Sequence, residues 1–105
     1  MGLKHDKVKA LVQELAAEFV ERESDKTSLI TVTRADISKD FRKSTIFITV
    51  YPDKSEESAL NFLKRKRSLF REKIIKNTGL RIIPFFDFEI DEGEKSRQRL
   101  DELGK

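Results

Sequence analysis

The sequence predicts an α+β fold of order α-β-β-α-α-β, a type II KH-like arrangement with one three-stranded sheet and its helices on one face. Three observations predict it. Apolar residues recur at helical spacing near the N-terminus, two β-branched runs follow across a short polar turn, and a Phe-rich alternating run begins at Pro84. With 105 residues, a single domain with one modest core is expected. That core is placed at about residues 4–91, with 92–105 as a short polar helix or tail. Charged residues reach 39%, but eight Phe argue against disorder. No run approaches the roughly 18 apolar residues of a membrane span. The absence of cysteine excludes a disulfide framework, a zinc ribbon, an iron–sulfur site and cysteine catalysis. Met1-Gly2-Leu3-Lys4-His5-Asp6 leads directly into an amphipathic pattern rather than a signal peptide, so a cytoplasmic location is expected.

The first helix, roughly residues 4–22, is set by Val8, Leu11, Val12, Leu15 and Phe19. Glu23 to Ser28 is loop. Leu29 to Ile37 is rich in β-branched residues and reads as a strand. Ser38-Lys39-Asp40 turns the chain into a second strand, Thr45 to Tyr51, and the short connection predicts an antiparallel hairpin. On that strand Ile46, Ile48 and Val50 share one face, with Phe47 and Tyr51 on the other. Pro52-Asp53 ends it, and Asp53 or Ser55 is expected to cap a helix that stops at Gly79. A third strand runs from Pro84, with Phe86, Phe88 and Ile90 facing opposite to Phe85, Asp87 and Glu89.

The helical stretch between Ser55 and Thr78 cannot be one straight helix on a core. Leu60, Leu63, Phe70 and Ile74 define its apolar stripe, yet Lys64, Arg67 and Arg71 fall within the same stripe. Burying three unpartnered cations costs too much. A break between residues 64 and 68, with Ser68 capping the second half, resolves the conflict.

Charge is unevenly spread. Residues 64–84 carry eight basic groups and one acidic group, against ten and eleven in residues 1–63 and four and seven in residues 85–105. A concentrated basic patch on a near-neutral scaffold is a footprint for a polyanion. The element order matches the type II KH module, whose Gly-x-x-Gly loop clamps a nucleic-acid backbone. None of the four glycines here sits at the helix break; Lys64-Arg65-Lys66-Arg67 sits there instead.

A KH-like fold without that loop resembles the ribosome-binding factor A family. Leu29 to Phe41 (LITVTRADISKDF) resembles the family's first strand and Ser-x-Asp-Leu turn, and Arg42 to Val50 its second strand. Leu80 to Phe88 (LRIIPFFDF) is similar to its Leu-Arg-x-x-Pro-x-Leu-x-Phe stretch. One departure stands out: where the family marks its helix kink with Ala-x-Gly, this chain has Lys66, Arg67 and Ser68. The resemblance implies a monomeric, non-catalytic protein that binds the free 30S subunit and 16S rRNA and supports their maturation. It implies no cofactor, small-molecule substrate or membrane partner.

Four residue sets are candidates for chemistry. Lys64, Arg65, Lys66, Arg67, Arg71, Lys73, Lys76 and Arg81 are the expected RNA-binding residues, because several cations on one surface bind phosphates without a base-reading pocket. The plainer alternative is a solvated helix face, but only Glu72 offsets seven cations within residues 64–76. Asp87, Glu89 and Asp91 align on one strand face, so a metal-dependent nuclease remains an alternative, although no metal or catalytic residue is assigned. His5, the only histidine, is expected at a frayed terminus without partners. Phe47, Tyr51 and Phe85 are the aromatics placed to stack bases from an open sheet face. A basic module for an acidic protein partner is the third class left open.

Overall fold

The computed structural model describes residues 5–103, with side chains described through residue 100. The elements are α1 (His5–Glu23), β1 (Leu29–Ile37), β2 (Lys43–Tyr51), a 3-10 turn (Asp53–Ser55), α2 (Glu56–Arg65), α3 (Arg67–Asn77), β3 (Phe85–Ile90) and α4 (Glu92–Leu103). The expected α-β-β-α-α-β order is observed. The readings of Met1 to Lys4 and of the last two residues lie outside the described residues.

β2 is the central strand, paired antiparallel to β1 from Leu29↔Tyr51 to Ile37↔Ser44. It pairs parallel to β3 from Lys43↔Phe85 to Ile48↔Ile90. The parallel pairing follows from connectivity, because a helical crossover returns the chain to the end of the sheet where β2 began. β1 carries a bulge between Val32 and Arg34. Its apolar residues require one: Ile30 and Val32 sit two apart, as do Ala35 and Ile37, but Val32 to Ala35 is three. Strict alternation would turn one of these pairs toward solvent. The extra residue, Thr33, donates its hydroxyl to Asp91 Oδ2 at 2.6 Å.

The core lies between one sheet face and helices α1 to α3. Val8, Val12, Leu15, Ala16, Phe19 and Val20 supply the α1 stripe, and Leu63, Phe70 and Ile74 come from α2 and α3. Ile46, Ile48, Phe86 and Phe88 form the sheet floor. Phe70 is the hub: its ring lies 5.2 Å from Phe19, 4.9 Å from Phe86 and 6.2 Å from Phe88. These edge-on contacts add to the burial of a large side chain.

Several local expectations are corrected. Neither Asp53 nor Ser55 caps α2 through a side chain; the helix follows directly from the 3-10 turn, and Asp53 pairs with Arg99 instead. The break falls at Lys66, within the expected window, but Ser68 does not cap α3; it lies inside that helix. Gly79 is not needed to stop α3. Asn77 Nδ2 and Thr78 Oγ1 each donate at 2.8 Å to the terminal carbonyls of Lys73 and Ile74, and Thr78 is already extended. α4 begins at Glu92, where a turn was expected, because Asp91 accepts the Glu94 amide at 3.0 Å as an N-cap. α4 is polar and is held by ion pairs from Lys95 to Glu56 (2.8 Å) and Arg99 to Asp53 (2.7 Å). It shares a shallow cleft with Thr49, so it shields one end of the otherwise open sheet face.

Phe70→Ala is expected to remove about 3–5 kcal/mol from the unfolding free energy. Urea unfolding measures it; a loss below about 1 kcal/mol contradicts the assignment of Phe70 as the hub.

Candidate nucleic-acid interface

The α2–α3 junction is a single-residue interruption. Lys66 has φ −95 and ψ 7; its amide bonds the Leu63 carbonyl at 3.0 Å, and its own carbonyl accepts from Phe70 at 3.0 Å. A negative φ is open to any L-residue, so the kink forms here without glycine. α3 then opens with no side-chain cap and no acidic residue in its first turn.

The eight predicted cations divide into two groups. Lys64 and Arg67 both reach Asp87 Oδ1 on the edge strand β3, at 3.2 and 3.1 Å. Lys66 pairs with Glu23 at 3.6 Å and lies 5.5 Å from the Phe62 ring centre. Lys73 pairs with Glu18 at 3.4 Å. These four tie the helix pair to β3 and α1. Among the described residues, no carboxylate lies within 4.0 Å of Arg65, Arg71, Lys76 or Arg81, all of which are exposed.

The cations also do not form one continuous patch. Arg67 and Arg71 border a cleft of about 420 Å³ between α3 and the start of β3, floored by Ile82, Pro84 and Phe85. Lys73 and Lys76 border a second groove, between α1 and α3, with Arg22 and Leu69. Arg65 stands on the opposite flank, beside the loop through Ser24 and Ser28. Arg81 lies on the α3–β3 connection.

The first cleft includes a residue the sequence reading missed, Arg42. The turn before β2 positions it. Ser38 donates its hydroxyl to Asp40 at 2.7 Å, and the Arg42 amide donates to that same Asp40 oxygen at 3.0 Å. The Lys43 amide donates to the Ser38 hydroxyl at 3.0 Å. Phe41 is held in the left-handed region at φ 63, under the His5 ring at 4.1 Å. Such a backbone persists only where its surroundings hold it. His5 is therefore not frayed: its Nε2 lies 3.0 Å from the Ser38 carbonyl, and it braces this turn. The Ser-x-Asp pattern was visible in sequence, but the contact between Arg42 and α3 spans distant chain and was not.

The row of carboxylates does not converge on a common centre. Asp87 is engaged by Lys64 and Arg67, while Asp91 leaves the strand to cap α4 and meets Thr33 and Arg34. Among the described residues, no group of three His, Cys, Asp or Glu is placed to share a metal ion. The predicted open-face aromatics do lie on the open face. Tyr51 and Phe85 are 67% and 55% exposed, whereas Phe47 lies under the Arg34 guanidinium at 3.8 Å.

A family model described as ribosome-binding factor A matches residues 4–104. Ribosome-binding factor A of Thermobifida fusca is 32% identical over 95 residues, covering 88% of this chain and 63% of its own length. The chain thus spans less than two thirds of that relative. The Thermodesulfovibrio yellowstonii protein of the same name is 31% identical over 101 residues, covering 94% of this chain and 86% of its own. The crystal structure of ribosome-binding factor A from Thermus thermophilus superposes with a TM-score of 0.75 at 21% identity, covering 84% of this chain and 97% of that one. A homology model of the T. thermophilus factor, fitted into the cryo-EM map of a 30S–RbfA complex, gives a TM-score of 0.68 at 23% identity, covering 77% and 88%. At these identities the structural likeness speaks to the fold.

Asp87 and Asp91 are both held below the usual carboxylate range. At Asp87 burial pushes upward, but the Lys64 hydrogen bond, the Phe88 amide and the charges of Lys64 and Arg67 together outweigh it. At Asp91 the Thr33 hydroxyl leads, followed by the Glu94 amide, against burial, with Arg34 adding. A depressed carboxylate stabilises the fold above its unfolded value of about 3.9, and that stability is lost as pH falls through the folded value. Stability is therefore expected to drop below about pH 4, and Asp91→Asn is expected to shrink that drop. Urea unfolding from pH 7 to 3 measures it; identical acid limbs for the two proteins contradict the role given to Asp91.

Proposed function

The chain belongs to the ribosome-binding factor A family, and from that premise we propose that it is a non-catalytic protein of the cytoplasm. In this reading it binds the free small ribosomal subunit through 16S rRNA and supports the subunit's maturation. It acts as a monomer and uses no cofactor. The observation that carries the reading is the division of the cations. Arg65, Arg71, Lys76 and Arg81 are exposed and unpaired, on a helix pair that Lys64, Lys66, Arg67 and Lys73 fasten to the sheet and to α1. Unpaired exposed cations meet phosphates without first breaking an internal ion pair. The paired four contribute to the same potential while fixing where the others stand. A rigid, preset array binds best the rRNA conformation whose phosphates match it, and so shifts the population toward that conformation.

Co-sedimentation with purified small subunits across a salt series tests the reading. Selective pelleting with free small subunits, lost as salt rises, is expected. The triple variant Arg65→Glu, Arg71→Glu, Arg81→Glu is expected to weaken binding more than tenfold. It should also flatten the slope of log affinity against log salt by about 2–3. Its melting temperature should stay within about 3 °C of wild type, since exposed charges contribute little to folding. Unchanged affinity and slope in a folded triple variant contradict the proposed surface.

A further inference from the structure

The cleft between α3 and the start of β3 differs from the rest of the basic surface in having an apolar floor. Three arginines, Arg42, Arg67 and Arg71, stand around it, and Ile82, Pro84 and Phe85 lie beneath. Its volume, about 420 Å³, falls in the range of sites that enclose one small ligand. Phe85 is more than half exposed despite its size. The Arg67 guanidinium lies 5.0 Å from the centre of its ring and is itself fixed by Asp87 at 3.1 Å, so the ring and its cation form a preset pair. Arg71 is unpaired, and Arg42 touches a carboxylate only at the outer limit of 4.0 Å, through Asp40.

We propose that this cleft holds one unstacked nucleotide of single-stranded RNA, with its base on Phe85 and its flanking phosphates on Arg42 and Arg71. The inference rests on the rRNA-binding reading above and names the part of the RNA that the site takes. Each feature of the cleft answers to one part of a nucleotide. A flat, exposed ring offers a stacking platform, which every base can use because every base has a π-face. Two unpaired or weakly paired guanidiniums beside that ring suit the phosphates on either side of the base. A cleft of this size admits one base and not a base pair, so a duplex meets only the rim. Among the described residues, no Asn, Gln, Asp or Glu side chain lines the cleft to read a base edge, so the site tolerates any base.

Two oligomers of equal charge test the proposal: an adenosine hexamer, and a hexamer of abasic riboses with the same number of phosphates. Fluorescence anisotropy at one salt concentration reads affinity for both. Wild type is expected to prefer the base-bearing hexamer by about five- to a hundredfold. Phe85→Ala is expected to abolish that preference, Phe85→Tyr to keep it, and Arg42→Gln to weaken both oligomers alike. Phe85 is exposed, so its loss is expected to leave the fold intact, which a melting curve checks. Equal affinity of wild type for the two hexamers overturns the proposal, as does a preference that survives Phe85→Ala. Co-sedimentation of wild type with small subunits separates the two readings. Subunit binding without base preference removes the cleft and leaves the subunit reading. Base preference without subunit binding supports the cleft and removes the assignment to the small subunit.

Discussion

A cation left in an apolar interior without a partner is among the costliest arrangements a small fold can contain. The stretch from Glu56 to Asn77 places Lys64, Arg67 and Arg71 close to the stripe that must bury Leu63, Phe70 and Ile74. The structure relieves this in three ways at once. Lys66 interrupts the helix; Asp87 on the edge strand draws Lys64 and Arg67 to it; and Arg71 is left exposed at a cleft. With the cations dealt with, Phe70 can enter between Phe19, Phe86 and Phe88 and close the core. The same relief decides where charge appears on the surface, so the packing of the core and the shape of the basic surface have one cause.

Paired cations set the positions of the helices, and unpaired ones remain available outside. Lys73 on Glu18 and Lys66 on Glu23 join the helix pair to α1, while Lys64 and Arg67 join it to β3. Solvent-exposed pairs of this kind contribute little to stability. Their effect lies in restricting where the helix pair sits, which a phosphate-matching surface requires. At the other end of the sheet, α4 has little apolar surface to bury and depends on Asp91, Lys95 and Arg99 for its place. It shields Thr49 while leaving Tyr51 and the Phe85 end of the open face exposed.

Much of the fold was legible because its signals are local and periodic. The α1 stripe, the β1–β2 hairpin and the alternation of Phe86 and Phe88 need only the spacing of apolar residues. The break near Lys66 was legible through a conflict between two patterns rather than through a marker residue. The bulge at Thr33 was also written in the sequence, as the three-residue step from Val32 to Ala35, but a reading by composition passes over it. Other features needed the tertiary fold. Asp87 read as one of three aligned carboxylates and proved to be the partner of two predicted RNA-binding cations. Asp91 read as strand terminus and proved to be a helix cap. Arg42 lay in a turn whose local hydrogen bonds say nothing of the helix it faces. The eight cations were identifiable as a cluster, but their division into paired and unpaired groups depends on Glu18, Glu23 and Asp87, which are distant in the chain.

The central claim is that RNA meets this protein around the α2–α3 junction and the adjoining cleft. Hydrogen exchange of the protein, alone and bound to small ribosomal subunits, tests it most directly. The account predicts slowed exchange on binding in residues 64–71, in residues 80–86 and in the turn at residues 38–43, with α4 unchanged. Protection confined to α4 and the Tyr51 end of the sheet, with the junction unaffected, would contradict it.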